Sequence, residues 1–463
     1  MANTKYLIAA SAVVAALAAA PMVVSSSVDK EIEATKTLLE KNGFKQEILS
    51  KSGYFTSQRT FTLEIVDAAK VRDYLLDGLV AKNAQYKVFA QSMKDIAPEE
   101  VNGVFNGLKF RGDMTNSNLM PSESKMSLIL DRLPHSVQTE ITNNKELSSV
   151  MLPLFSRGVF ALDMTFDTRQ KLKNLKVRDI KEKMKVEDVT LDIDTVNHTL
   201  SLGEEGGIVK GKIGVEKQIF GVSAEGFTLK SNLENFLYDF SFKDDFNNQG
   251  KLDMGKYTFE MQEMGTKTVF GLGNFKASST LEETGTQLQM KADYTLSDIM
   301  YSEGMDAIKC KTLITNLKVG GISSQKIKTL QTHYNALLVG TNAPSDEVLI
   351  QDFVGLINDG VKFDFGIGLK ELSGIMTLKD VSVDTKLEIA KNTYSDKQSP
   401  LEIMTLVDIA SKIKVHKEDK AMLESLSLIS AEDFALGKAE GDYFVYDVAM
   451  KKGAITVNGK PIQ

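Results

Sequence analysis

The sequence predicts an α+β protein, predominantly antiparallel β: an extended twisted sheet or sheets built from successive hairpins, with a few packing helices and an N-terminal apolar helix. Two observations predict it. Between Val186 and Leu296 short segments alternate apolar with polar residues, the period expected of strands with one buried face. Gly, Asn or Asp interrupts that alternation about every ten residues, as successive hairpins require.

The alternation reads residue by residue. Val189, Leu191 and Ile193 are interleaved with Asp188, Thr190, Asp192 and Asp194. Leu237, Tyr238, Phe240 and Phe242 follow, then Tyr257, Phe259 and Met261, then Leu288, Met290, Ala292, Tyr294 and Leu296. Gly203 to Gly207, Asn247 to Gly250, Gly265 and Glu282 to Gly285 supply the turns, and Gly271-Leu272-Gly273 reads as another hairpin turn.

Four regions are expected: 1–28, a membrane anchor or signal sequence; 29–155, a helix, a hairpin and a helical region; 156–322, the central ladder; and 323–463, an αα-hairpin, further strands, a helix and a C-terminal hairpin. Lys5 is followed by 23 uncharged residues, Tyr6 to Val28. As a helix they would span about 34 Å, enough for a bilayer core. An uncleaved anchor is expected, with a cleaved signal sequence as the alternative because Ala16-Leu17-Ala18 offers a small-x-small site. Either reading exports the body, in a bacterium to the periplasm.

Asp29 to Asn42 has helical spacing with Gly43 as its stop. Gln46 to Ile65 reads as a hairpin turning at Lys51-Ser52-Gly53, Val66 to Gln91 as helical, and Ser148 to Leu154 as a short helix. Arg157-Gly158-Val159-Phe160 reads as a second Gly-aromatic hairpin. Arg169 to Lys185 holds eight basic and two acidic residues, best read as the solvent side of two strands, with an anionic lipid or protein patch as the alternative. Lys326 to Val339 and Glu347 to Ile357 read as two helices, and Pro400 to Val415 as a third. Strands are expected at Phe363 to Leu369, Val381 to Ile389, Tyr443 to Val448 and Ala454 to Val457.

Composition removes whole classes of function. A net charge of -7 argues against a general nucleic-acid binder, which needs a basic surface. The single cysteine, Cys310, forms no internal disulfide and sits in a strand-like context, so it reads as structural. His135, His198, His333 and His416 lack partners at metal-ligand spacing, and no nucleophile elbow, phosphate loop or dinucleotide fingerprint is present. His333, near the apolar side of its helix, reads as a satisfied structural histidine. Neither catalytic residue, cofactor nor metal is expected.

Both ends of the chain carry a resemblance. Gly441-Asp442-Tyr443-Phe444-Val445, with Gly453 to Pro461, resembles the closing hairpin of the YdgA-like family of bacterial envelope proteins. Ser52-Gly53-Tyr54-Phe55-Thr56-Ser57 and Thr332-His333-Tyr334-Asn335-Ala336-Leu337 resemble that family's early hairpin and a middle helix. The resemblance implies a self-associating periplasmic protein anchored in the inner membrane, without known enzymatic activity. It assigns no functional residue.

The expected function is therefore non-enzymatic: an envelope scaffold acting through protein–protein contacts or as a homodimer. The alternative is a β groove holding lipid acyl chains, lined by Leu191, Phe240, Phe242, Phe259, Met261, Met290 and Leu296. An ordinary core covered by the chain's own helices competes with that groove.

Overall fold

A computed structural model describes residues 36–461 apart from 53–55, 83–86, 118–122, 169–170, 340–343, 375, 396–397, 399 and 426–434. The predicted anchor and the tip of the first hairpin lie outside the described residues. No helix among the described residues is long and apolar enough to cross a membrane. The chain is mostly antiparallel strand, as its alternation predicts, and divides into two compact units: Met1–Gly203 with Lys212–Glu225, and Glu204–Gly211 with Gly226–Gln463.

In the first unit residues 36–41 are helical and stop at Gly43, whose φ of 87° suits a residue without a Cβ. Five strands then form an antiparallel meander: β1 (Phe44–Ser52), β2 (Thr56–Ile65), β3 (Lys109–Ser117), β4 (Ser124–Arg132) and β5 (Ala161–Phe166). Between β2 and β3 come α1 (Ala68–Lys82), α2 (Lys87–Lys94) and α3 (Pro98–Phe105); between β4 and β5 come α4 (His135–Asn143) and α5 (Lys145–Ser156). Phe44, Phe61, Phe110, Met126, Leu128 and Phe166 are all buried here, with side chains from α1, α3 and α5 packed against them. Helices thus seal this sheet. Gly158 is not a hairpin turn: it ends α5, with φ 63° and its N–H donating to the Phe155 carbonyl.

The unit continues through β6 (Leu172–Val177), β7 (Ile180–Val186), β8 (Val189–Val196) and, up to Gly203 and from Lys212 on, β9 (His198–Glu205) and β10 (Ile208–Ala224). The basic run Arg169 to Lys185 falls largely on β6 and β7, and several of its cations face acids: Lys173 with Glu123, Lys176 with Asp179, Arg178 with Asp163. His198 sits just after a break in the strand at Asn197 (φ 51°), its Nε2 3.3 Å from the Lys217 carbonyl oxygen.

The second unit holds the longest strands. They are β11 (Phe227–Asp244), β12 (Asn247–Glu263), the short β13 (Thr266–Leu272) and β14 (Asn274–Thr284), β15 (Gln287–Glu303) and β16 (Asp306–Ser323). Next come α6 (Ser324–Val339), α7 (Asp346–Asn358), β17 (Val361–Ser373) and β18 (Leu378–Ile389). The unit closes with α8 (Pro400–Leu406), β19 (Val407–His416), α9 (Lys420–Ser425), β20 (Lys438–Glu440), β21 (Tyr443–Lys451), β22 (Ala454–Val457) and β23 (Lys460–Pro461).

Three expectations need correction here. Pro400 to Val415 is not one helix: α8 ends at Leu406, and Val407, Ile409, Ile413 and Val415 alternate along β19. The helical spacing of the apolar residues was shared by chance with a period of two, and pairing with β18 decided it. Gly271 to Gly273 is not a hairpin turn, because β13 and β14 run collinearly between β12 and β15. The turn expected at Asn247 to Gly250 lies earlier, at Asp245-Phe246, where the Asp244 carboxylate accepts from the Phe246 N–H and the Asn247 amide.

Strands of 17 or 18 residues cross this unit without losing their one-sidedness, although the apolar pattern slips by one residue midway. Leu229 and Leu233 on β11 give way to Phe236, Tyr238 and Phe240; Leu372 on β17 gives way to Leu369 and Ile367. At the slip stand Asn235, Asp298 and Glu371, with φ between 50° and 55°, and Gly255 and Gly273. A left-handed residue bends a strand and leaves two successive side chains on one side, so the apolar face resumes after it. Leu369 and Leu372, on opposite sides of Glu371, accordingly pack against the same cluster.

Asn235→Val should cost about 1–2 kcal/mol, since a β-branched residue resists φ > 0, whereas Asn235→Gly should be close to neutral. Urea unfolding of the two variants checks the order. A pH effect belongs to the first unit. Burial holds the His198 imidazole below its ordinary value, so the folded state favours the neutral ring. Its contribution is complete above the unfolded value of about 6.5 and is lost as pH falls. Unfolding midpoints of His198→Gln should therefore depend less steeply on pH than wild type on the acid side of neutrality.

Candidate functional site

The registers place the apolar residues of the second unit in rows that run across its strands. Below the slip, the first row reads Phe236, Met254, Phe275, Leu296, Leu313, Leu369, Val381, Val415 and Phe444, one from each of nine paired strands. The next begins Tyr238, Leu252, Ala277, Tyr294, Thr315, Ile367; the third Phe240, Gly250, Ser279, Ala292, Leu317, Phe365; the fourth Phe242, Asn248, Leu281, Met290, Val319, Phe363. Eight strand spacings make the face about 38 Å wide, and four rows extend about 20 Å along the strands. None of these positions is charged. The alternate positions, which point to the other side, include Asp239, Lys251, Asp253, Lys276, Asp293 and Lys318.

Among the described residues, a packed cluster covers one corner of this face. There Val415 is 1% exposed, and Leu423 of α9, 6% exposed, joins Leu378, Tyr446 and Val457, with Met422 and Leu436 beside them. Away from the corner parts of the same face meet solvent: Phe242 is 42% exposed, Met290 37%, Tyr294 39% and Ile367 39%, while Ala292 between them is buried and most of the other row members are half-buried. The helices α6 and α7 sit at the strand ends. The Ser324 N–H donates to the Thr286 carbonyl at 3.0 Å, and Lys328 lies over the buried Phe246 ring, 4.9 Å from its centre. His333 Nδ1 lies 2.6 Å from Asp352 Oδ2, joining α6 to α7. It is a satisfied helix-packing residue.

Of the residues predicted to line a groove, Phe240, Phe242, Met290 and Leu296 share the face below the slip. Phe259 and Met261 lie beyond the slip, beside Phe270 and Leu229. Leu191 belongs to the first unit, opposite Val222 and Met184. The sequence reading missed Leu317, Phe365, Ile367, Val383 and Ile413 as members of the face. Their alternation is visible, but nothing in the sequence says that β17 pairs with β16 across the intervening helices.

No group of acids, histidines and cysteine among the described residues could hold a metal ion. Cys310 lies on β16 opposite Ile299 and Leu372, and burial pushes its thiol up, away from the reactive thiolate. Comparison with family models, curated proteins and solved structures returns no match.

The contrast between corner and open face is measurable. Leu423→Ala should cost about 2–5 kcal/mol, the usual penalty for truncating a packed core leucine. Ile367→Ala should cost less than about 1 kcal/mol, since much of its side chain is already in water. Denaturant midpoints of the two single variants make the comparison.

Proposed function

We propose that this chain is a non-catalytic binding protein of a bacterial envelope, and that the open apolar face of its second unit is the surface with which it binds. One observation carries the reading: an uncharged face nine strands wide that the described residues pack over at one corner, with Phe242, Tyr294 and Ile367 in contact with solvent. Apolar side chains left open to water on adjacent strands are where soluble proteins often bind a partner or ligand. The N-terminal run of 23 uncharged residues supports attachment to the inner membrane with the body in the periplasm, and the resemblance at both chain ends agrees with that placement.

A scaffolding role through strand addition is the second reading. It rests on β1, which pairs with β2 and, among the described residues, with no strand on its other side, and which exposes Ile48 and Leu49.

Single-cysteine variants in a Cys310→Ser background test the first reading. I367C should react with a maleimide in the folded protein, and L423C only after unfolding. Ile367→Lys should leave the melting temperature close to wild type while lowering the fluorescence of a bound apolar dye several-fold. Equal protection of both cysteines, with Ile367→Lys unfolding the protein, would mean that the face is a sealed core.

A further inference from the structure

We infer that the occupant of the open face is hydrocarbon, the acyl chains of a lipid; the inference rests on the proposal that this face is the binding surface. The first argument is charge. Across four rows and nine strands the face presents neither cation nor anion, while the reverse side of the same strands carries Lys and Asp, paired in register as Asp239 with Lys251 and Asp253 with Lys276. A ligand matched to such a face has no charge to satisfy, which describes a lipid tail and not the mixed surface of a typical protein partner. Two of the few polar side chains are already used: Thr385 and Ser411 hydrogen-bond each other at 2.9 Å.

The second argument is geometry. Sheets that stack face to face lie about 10 Å apart, and a helix is about as thick. α9 already occupies that layer over the corner formed by Val415 and Tyr446. A second copy laid flat on the face would meet this helix, whereas flexible chains can fill the uncovered remainder from β11 to β17. The length also fits, since about 20 Å of apolar strand exceeds the roughly 15 Å depth of one leaflet of hydrocarbon. Met254 and Met290 add side chains that adapt to irregular apolar ligands.

A fluorophore on I367C, in the full chain carrying Cys310→Ser, provides the test. The labelled protein is mixed with vesicles of phosphatidylcholine whose acyl chains are brominated near their middle, and with the same lipid unbrominated. Bromine quenches only at contact, so loss of most of the fluorescence with the brominated lipid alone is expected. Introducing Tyr294→Lys should restore it, and native mass spectrometry should show phospholipid bound to the parent and several-fold less to the Lys variant. The membrane anchor cannot produce this signal, because the reporter sits on the sheet. Ready maleimide labelling without quenching or bound lipid would overturn the acyl-chain inference and leave the face a binding surface for something else. Cross-linking of I367C to its own copy would identify that occupant as a second subunit. Failure of I367C to label at all would overturn the surface itself.

Discussion

A sheet apolar on one side must have that side removed from water, and the rest of this structure depends on how the chain meets that constraint. In the first unit α1, α3 and α5 pack against Phe61, Phe110 and Leu128, and the core is closed. In the second unit, among the described residues, α9 does the same work over one corner. The chain also has α6 and α7 within the second unit, yet they are fastened to the strand ends through Ser324, Lys328 and Phe246. Lys326 binds the Gly355 carbonyl and Asp359, tying the two helices to each other. Helices are therefore present in both units, and their placement decides which face is sealed.

The slip through Asn235, Gly255, Gly273, Asp298 and Glu371 is what lets such long strands keep one apolar face. Each strand individually breaks its alternation, and a break in one strand alone would turn half of its side chains to the wrong side of its neighbours. The registers show the breaks lining up: Gly273 stands opposite Asp298 across β13–β15, with the position of a Gly273 Cβ only 2.8 Å from the Asp298 Cβ. Lys311, in step with Asp298, joins Glu371 at 2.6 Å on the polar side. The local polar contacts occur where two successive side chains of a strand share that side. Cooperation between strands, and not any one residue, preserves the face.

Much of this was legible in the sequence and some was not, for physical reasons. The segments around Leu191, Phe240, Phe259 and Met290 were readable as strands because period two is a local property. Gly43 was readable as a helix stop because φ > 0 is cheap only without a Cβ. The slip was not recognised, since Leu233 and Phe236 fall in adjacent segments that each look regular. Val407 to Val415 misled because its apolar residues satisfy two periods at once, and only the partner strand β18 chooses between them. The extent of the face was invisible for a related reason. The row through Leu296, Leu313, Leu369 and Val381 passes from Leu313 to Leu369 across two intervening helices, and strand pairing of that kind is a tertiary fact.

Magnitudes constrain what can occupy the face. Its outline of about 38 by 20 Å encloses roughly 750 Å². The neighbouring side chains already shield much of that, and if a third remained to be removed from water, about 25 cal/mol per Å² would yield roughly 6 kcal/mol. Association itself costs about 4 kcal/mol or more in lost rigid-body freedom. A small apolar molecule, touching one or two strands, would fail to recover that cost. A ligand that spans many of the strands between Phe240 on β11 and Phe365 on β17 could, and its grip would still be weak enough to release. The width of the sheet, nine strands in register, is thus what makes a modestly apolar surface into a usable one.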